Sequence, residues 1–299
     1  MEKIGLLNND NTCYMNSVLQ CLLHISKLSD YLENNYTSLN NSFKVLSEYI
    51  NIIKNTKNPK NWESFFLRNG EKKYYISKSG LKYAIGKIND QYNSNKMNDC
   101  AEFLGNFLSI IEKEILGMNI KNIIKDLFNI EIETQTKCGK CHKVIDIEEE
   151  KYFYINLPVL SKLTKKKLEC LDDCIKEYQK KSDFNDYCNN CGNNQQYEEI
   201  KIKNIPNILI FNLKRIVKGE HYSHKIDFKD NLNFNSSNYS LFGMIVHYGD
   251  QYVGHKVALC KDKSKKWTLF DDEETIENVD HFHDYFYQNV FMLFFEKNS

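Results

Sequence analysis

The sequence predicts an α+β fold with a helical N-terminal half and an antiparallel C-terminal half. Apolar residues recur at helical spacing before Asp126, whereas after it they alternate as they do in half-buried strands. The 299 residues are 41% hydrophobic and 13% aromatic, which is enough to build a hydrophobic core. Because no repeat or linker divides the chain, we expect one domain over residues 1–299.

Helical spacing predicts three helices in the N-terminal half. The first lies within residues 16–28, and turn-forming residues before it place Cys13 at a helix start. The second lies within residues 43–53. The third follows Asp99 and Glu102, which resemble a capping box, and carries apolar residues at positions 103, 104, 107, 108, 111 and 115 on one face.

The second half of the chain is predicted to consist mainly of strands. Residues 130–136 alternate between apolar and polar, and residues 152–157 alternate again. Gly, Asp and Lys clusters supply the turns between further apolar segments. Those segments predict strands at residues 208–213, 241–247, 256–260, 267–271 and 290–295.

Charge and hydropathy disfavour several classes of protein. The 40 Lys and Arg residues balance 40 Asp and Glu residues, whereas proteins that bind nucleic acid or membrane surfaces normally carry a basic excess. No apolar run reaches the roughly 18 residues that span a bilayer, and the N-terminus lacks a secretory signal pattern. We therefore expect an intracellular monomer, cytoplasmic or nuclear, that binds neither nucleic acid nor membranes. Its ten cysteines are then expected to be ligands, nucleophiles or core residues.

Two C-x2-C pairs predict a zinc site. Cys138 and Cys141 form the first pair and Cys188 and Cys191 the second, each in a turn between predicted strands. Two intervening residues allow both sulfur atoms of a pair to reach one metal ion, and four thiolates complete a tetrahedral zinc site. The alternative is four reduced cysteines without a metal. His142 is an alternative ligand, although a His beside a complete cysteine set is more often a surface residue.

Cys13 is a candidate nucleophile because it begins a predicted helix. The helix dipole favours a thiolate there, and backbone N–H groups face any negative charge that develops. A free cysteine taken alone is more often a small core residue. However, His255 and Asp271 belong to two consecutive predicted strands, and a Cys, a His and an Asp brought together form a nucleophile, a base and a group that orients the base. Asn8 supplies an amide donor just before Cys13.

These segments resemble the motifs of the ubiquitin-specific proteases. Residues 5–20, GLLNNDNTCYMNSVLQ, are similar to the family's Cys box, and residues 239–272 are similar to its His box. Residues 99–104, DCAEFL, are similar to its acidic helix motif, and residues 205–215, IPNILIFNLKR, to its central palm strand. The motifs match in order and spacing over nearly the whole chain, so the resemblance implies a minimal catalytic domain without accessory modules.

The resemblance implies a papain-like cysteine protease fold with thumb, fingers and palm regions. Residues 1–125 would form the helical thumb, residues 126–204 the fingers and part of the palm, and residues 205–299 the palm with the His box. One structural, non-catalytic Zn²⁺ would lie in the knuckles at the tips of the fingers.

The resemblance also assigns catalytic roles to five residues. Cys13 would be the nucleophile, His255 the general base and acid, and Asp271 the residue that holds the imidazole. Asn8 would donate to the oxyanion together with the backbone N–H of Cys13, and Asp272 would support that site.

The implied reaction is hydrolysis of the (iso)peptide bond after the C-terminal glycine of ubiquitin, through a thioester intermediate. Ubiquitin and ubiquitinated proteins are the implied partners. Asp99 and Glu102 match acidic positions that grip the arginines of the ubiquitin tail, with a helix cap as the alternative role. The tail channel would pass the turn at residues 249–254.

Two departures from the family pattern bear on activity. Asp10 stands where the family usually has Gly, and Asp tolerates positive φ better than most residues. Lys256 stands where the family usually has Tyr, and a cation there is expected to depress the pKa of His255 and to alter the channel lining. His247 matches a position on the strand before His255 and is expected to pack rather than catalyse.

Three alternative functions stay open from the sequence. The first is a protease for another ubiquitin-like modifier that ends in Gly-Gly. The second is a catalytically weak ubiquitin-binding protein. The third alternative is a zinc-ribbon module that binds nucleic acid, which the balanced charge disfavours.

Overall fold

The computed structural model describes residues 3–8, 10–36, 44–58, 60, 62–66, 72–118, 120–249, 254–262, 264–281 and 283–298. Helices of the N-terminal half pack on one face of a large, mostly antiparallel sheet formed by the C-terminal half, which confirms the predicted α+β class. Within these ranges, no helix combines the length and apolar character that crossing a membrane requires.

The predicted helices are present, with changed boundaries. Cys13 begins the first helix as predicted, but that helix ends at Leu23, and a second begins after Ile25, which is extended. The helices are α1 (Cys13–Leu23), α2 (Ser26–Asn35), α3 (Lys44–Thr56), α4 (Ser79–Ile88), α5 (Cys100–Gly117), α6 (Ile123–Phe128), α7 (Leu171–Gln179) and α8 (Asp284–Asn289), with a 3-10 turn at Asp90–Asn93.

The described strands lie mostly after residue 129, as predicted. They are β1 (Gly5–Leu6), β2 (Glu63–Phe66), β3 (Lys72–Ile76), β4 (Ile130–Cys138), β5 (Val144–Tyr152), β6 (Ile155–Pro158), β7 (Ser182–Asn185), β8 (Gln195–Asn204), β9 (Ile208–Lys214), β10 (Ile216–Val217), β11 (Glu220–His221), β12 (Asn231–Phe234), β13 (Ser237–Gly249), β14 (Gly254–Lys261), β15 (Trp267–Asp271), β16 (Glu274–Glu277) and β17 (Val290–Lys297).

The large sheet has the strand order β16-β15-β14-β13-β17-β9-β6, with β12 paired to β13. A separate sheet has the order β5-β4-β8-β7 and carries the cysteine pairs at one end. In the small sheet β1-β3-β2, β1 lies directly before the Cys13 segment.

The large sheet is buried on both faces. On β9, Ile208 and Ile210 join the core between sheet and helices, whereas Leu209, Phe211 and Leu213 join a second core on the opposite face. Successive side chains of a strand point to opposite faces, so two covered faces require a continuous apolar run. In the same sheet, β14 and β15 lie against α1.

Candidate active site

The candidate triad forms where α1 packs against β14. Cys13 is the first residue of α1 and is buried, and His255 is the second residue of β14. Asp271 is the last residue of β15, which pairs with β14. The three side chains that the sequence predicted therefore meet at one point.

His255 lies between its two predicted partners. Its Nε2 lies 2.5 Å from Asp271 Oδ1 and 3.7 Å from Asp272 Oδ2, and the Cys13 thiol on its other side also raises the pKa of the ring. Because Nε2 faces Asp271, Nδ1 is the ring nitrogen left for Cys13. The hydrogen bond to Asp271, followed by that to Cys13, raises the pKa of His255 to about 10. The arrangement favours an imidazolium beside the sulfur.

Asp272 anchors the segment that precedes Cys13. Its Oδ2 accepts from Asn8 Nδ2 and its Oδ1 from Asn16 Nδ2, both at 2.7 Å. Burial raises the pKa of Asp272, although the two amide bonds favour the carboxylate. Asn8 thus points its amide group at Asp272, and its second N–H is available to a further acceptor. The sequence did not single out Asn16.

Backbone contacts join the same two segments. Leu6 N donates to Asp272 O at 2.8 Å, and Asn8 N donates to the Glu273 carboxylate at 2.7 Å. A Cβ at Gly5 would lie 2.3 Å from Glu273 O, so this close approach requires glycine.

A buried lysine that the sequence did not single out contacts this segment. Lys78 lies immediately before α4 and is 2% exposed. Its Nζ donates to Leu7 O at 2.8 Å and to Thr12 Oγ1 at 2.9 Å.

The structure shows the surroundings of Asp10 and Lys256, the two departures from the family pattern. Asp10 has φ of 56° and an exposed side chain, so its backbone takes the left-handed conformation that Asp tolerates. The pKa of His255 is not lowered overall, as expected from Lys256, because the hydrogen bond to Asp271 raises it. Adjacent strand residues face opposite ways, and Lys256 instead places Nζ 4.0 Å above the Phe291 ring.

Asp99 caps α5. Its carboxylate accepts from the backbone N–H groups of Ala101 and Glu102 at 2.8 and 2.9 Å. The side chain of Glu102 accepts from Gln91 rather than turning back toward the cap. Both acidic side chains are exposed, so they are also accessible to a partner.

His247 is buried, with its ring packed edge-on against Phe291 at 5.1 Å, as expected for a packing residue. A Cβ at Gly254 would lie 1.6 Å from His247 Nε2, so glycine is required directly before His255. Residues 250–253 of the predicted channel turn lie outside the described residues.

The two cysteine pairs converge. The four Sγ atoms of Cys138, Cys141, Cys188 and Cys191 all lie within 4.8 Å of one another, with 3.5 Å between Cys138 and Cys191. A tetrahedral ion with Zn–S bonds of about 2.3 Å would separate its sulfur atoms by about 3.8 Å. Backbone N–H donation, chiefly from Cys141, lowers the pKa of Cys138 to about 6. The donor set therefore fits a zinc ion.

Known proteins with similar sequences are ubiquitin carboxyl-terminal hydrolases. The chain matches the family described as Ubiquitin carboxyl-terminal hydrolase over residues 4–295. It is 25% identical to Ubiquitin carboxyl-terminal hydrolase Usp2 of Drosophila melanogaster, over 98% of this chain and 34% of that protein. It is also 25% identical to Ubiquitin carboxyl-terminal hydrolase 8 of Saccharomyces cerevisiae, over 90% of this chain and 65% of that protein. The chain thus spans less than two thirds of the length of either relative.

Two solved structures share the fold. A chain of the SAGA DUB module Ubp8/Sgf11/Sus1/Sgf73 bound to monoubiquitin matches 100% of this chain and 71% of its own length, with a TM-score of 0.79 and 20% identity. The same module bound to ubiquitin aldehyde gives a TM-score of 0.75. The predicted fold class is confirmed.

Proposed function

The chain belongs to the ubiquitin carboxyl-terminal hydrolase family, and from this premise we propose that it is a deubiquitinating cysteine protease. The observation that carries the proposal is the convergence of Cys13, His255 and Asp271, with 2.5 Å between the last two. This convergence supports the roles of nucleophile, base and orienting carboxylate for the three residues.

In the proposed reaction the Cys13 thiolate attacks the carbonyl carbon of the C-terminal glycine of ubiquitin. The backbone N–H of Cys13 and the second amide N–H of Asn8 stabilise the oxyanion, while Asp272 holds the Asn8 amide. His255, oriented by Asp271, protonates the departing lysine amine. The same imidazole then deprotonates the water that hydrolyses the thioester and releases ubiquitin.

Substrate recognition and metal binding extend the proposal. Asp99 and Glu102 would bind arginines of the ubiquitin tail, which is consistent with their exposure at the start of α5. Residues 1–125, 126–204 and 205–299 would act as thumb, fingers and palm. Cys138, Cys141, Cys188 and Cys191 would hold one structural Zn²⁺ that stabilises the fingers without taking part in catalysis. We place the protein inside the cell, acting as a monomer on ubiquitinated proteins.

The test is covalent capture. The purified protein is mixed with ubiquitin that carries a C-terminal thiol-reactive warhead, and adducts are measured by intact-mass spectrometry. We expect a one-to-one adduct with the wild-type protein and with Cys170→Ala, a partly exposed cysteine outside the site, but none with Cys13→Ala.

Parallel probes made from other Gly-Gly modifiers decide the substrate. An adduct with one of these alone would retain the mechanism and change the modifier. A folded protein that reacts with none of the probes would contradict the protease function and favour a ubiquitin-binding role.

A further inference from the structure

We infer that Lys78 is a positioning residue of this site, because its ammonium group sets the direction of a hydrogen-bond chain that aims the Asn8 amide at the oxyanion. The inference rests on the function proposed above and adds a residue to its machinery. Lys78 lies far from the Cys and His motifs in sequence.

Lys78 fixes both ends of the segment between β1 and α1. Its Nζ donates to Leu7 O at 2.8 Å and to Thr12 Oγ1 at 2.9 Å, and these acceptors bracket Asn8 in the chain. At 2% exposure the ammonium has little access to water, so these protein acceptors replace its hydration. Lys78 therefore holds both ends of the segment that carries Asn8 and leads into Cys13.

The chemistry of the donors fixes the direction of the hydrogen-bond chain from Lys78 through Thr12 to Asn8. An ammonium group can only donate, so Thr12 Oγ1 accepts from Lys78 and keeps its single proton for Asn8 Oδ1, 3.2 Å away. Thr12 N also donates to Asn8 Oδ1 at 3.0 Å. With Oδ1 accepting from both, Nδ2 must point the other way, toward Asp272 and the catalytic centre.

Asn8 is the point at which this direction affects the reaction. A flipped amide would present Oδ1 to the developing oxyanion, and the partial negative charge of Oδ1 would repel the oxyanion. The chain continues from Asn8 to Asp272 Oδ2, which lies 3.7 Å from His255 Nε2. Lys78 is thus linked through three hydrogen bonds to the carboxylate beside the base.

The charge on Lys78 depends on pH. Burial lowers its pKa to about 8, so the ammonium is largely kept at neutral pH and lost above that value. A neutral amine has a lone pair and can accept a hydrogen bond from the Thr12 hydroxyl. The donor-to-acceptor direction of the hydrogen-bond chain would then be reversed. The charged or titratable groups that act on Lys78 are Asp272, Lys82, Glu273 and Cys13.

The test compares variants along the chain in the hydrolysis of a fluorogenic amide of the ubiquitin C-terminus. We expect Lys78→Met and Thr12→Val each to lower kcat by about 10- to 100-fold with little change in KM. The double variant should be no slower than the slower single variant, because both changes break one chain. Thr12→Ser, which restores the hydroxyl, should recover most of the rate, and Lys87→Met, on the exposed face of α4, should match wild type.

The pH profile separates this role from simple support of the fold. The wild-type rate should fall above about pH 8, and this decline should be absent in Lys78→Met. Additive losses in the double variant, or an unchanged alkaline decline, would overturn the inference. If Lys78→Met fails to fold in circular dichroism, the Thr12→Val and Thr12→Ser pair carries the test. Wild-type protein without a warhead adduct would refute the protease function itself, whereas a reactive wild type matched by Lys78→Met refutes only the role of Lys78.

Discussion

His255 and Asp271 are joined by a 2.5 Å hydrogen bond from Nε2 to Oδ1, across the paired strands β14 and β15. The bond directs the other ring nitrogen toward Cys13 and stabilises the charged imidazole. Asp272 lies further from Nε2, at 3.7 Å, and accepts hydrogen bonds from the side-chain amides of Asn8 and Asn16. The two consecutive carboxylates therefore have separate partners: Asp271 bonds His255, and Asp272 bonds Asn8 and Asn16.

Replacing Asp271 with Asn should slow catalysis strongly, because the amide cannot stabilise the imidazolium and can bind the wrong tautomer of His255. We expect kcat/KM for the fluorogenic ubiquitin amide to fall by roughly a hundredfold to ten-thousandfold. Glu274→Gln, which neutralises an exposed carboxylate in the same hairpin, is the matched control and should retain the wild-type rate. Near-normal turnover by Asp271→Asn would assign the orienting role to Asp272.

The same bond predicts a pH dependence of stability. The pKa of His255 is raised in the folded protein from an ordinary 6.5 to about 10. The contribution of the His255–Asp271 bond to the stability of the folded protein is therefore complete below about pH 6.5 and is lost as the pH rises through about 10. The difference in melting temperature between wild type and Asp271→Asn should be largest near pH 6 and should shrink toward pH 10. A difference that grows with pH would show that the pair acts in another charge state.

The sequence predicted the parts of the site that local patterns encode. Alternation and apolar runs located β14 and β15, and the turn residues before α1 placed Cys13 at a helix start. The helix break was not predictable, because apolar spacing continues past Leu23. There the His24 ring donates to Gln20 O at 2.7 Å, and Ile25 turns extended.

Lys78 was not predictable for a different reason. It stands between Ser77 and Ser79, and a lysine between two serines is ordinarily expected to be exposed. Its acceptors are a backbone carbonyl and a hydroxyl more than 60 residues away, which only the tertiary fold brings close. The pKa of His255 likewise depends on a cross-strand distance that no pattern reports.

Loss of the cysteine cluster should destabilise the sheet β5-β4-β8-β7 before the site around Cys13. Cys138 ends β4 and Cys188 lies between β7 and β8, so a bound ion would join neighbouring strands of one sheet. We expect about one zinc per chain in the purified protein and almost none in Cys188→Ser, with a lower melting temperature. Hydrogen exchange should increase in β4 and β8 while α1 and β14 stay protected.

Cys170→Ser is the control for that experiment, because Cys170 lies outside the cluster, directly before α7. It should keep its zinc and its melting temperature. Full zinc content in Cys188→Ser would instead assign the metal to other ligands.

Gly254→Ala tests how closely β13 and β14 must approach beside the base. The new Cβ would meet the buried His247 Nε2 at 1.6 Å, so either His247 or the start of β14 must move. We expect a loss of roughly 1–3 kcal/mol in the free energy of unfolding. Because His255 is the next residue, kcat should also fall by at least about tenfold. Gly105→Ala in α5 meets Tyr154 at an ordinary 3.4 Å and should preserve both quantities. A fully active Gly254→Ala protein would show that His247 moves aside without displacing the base.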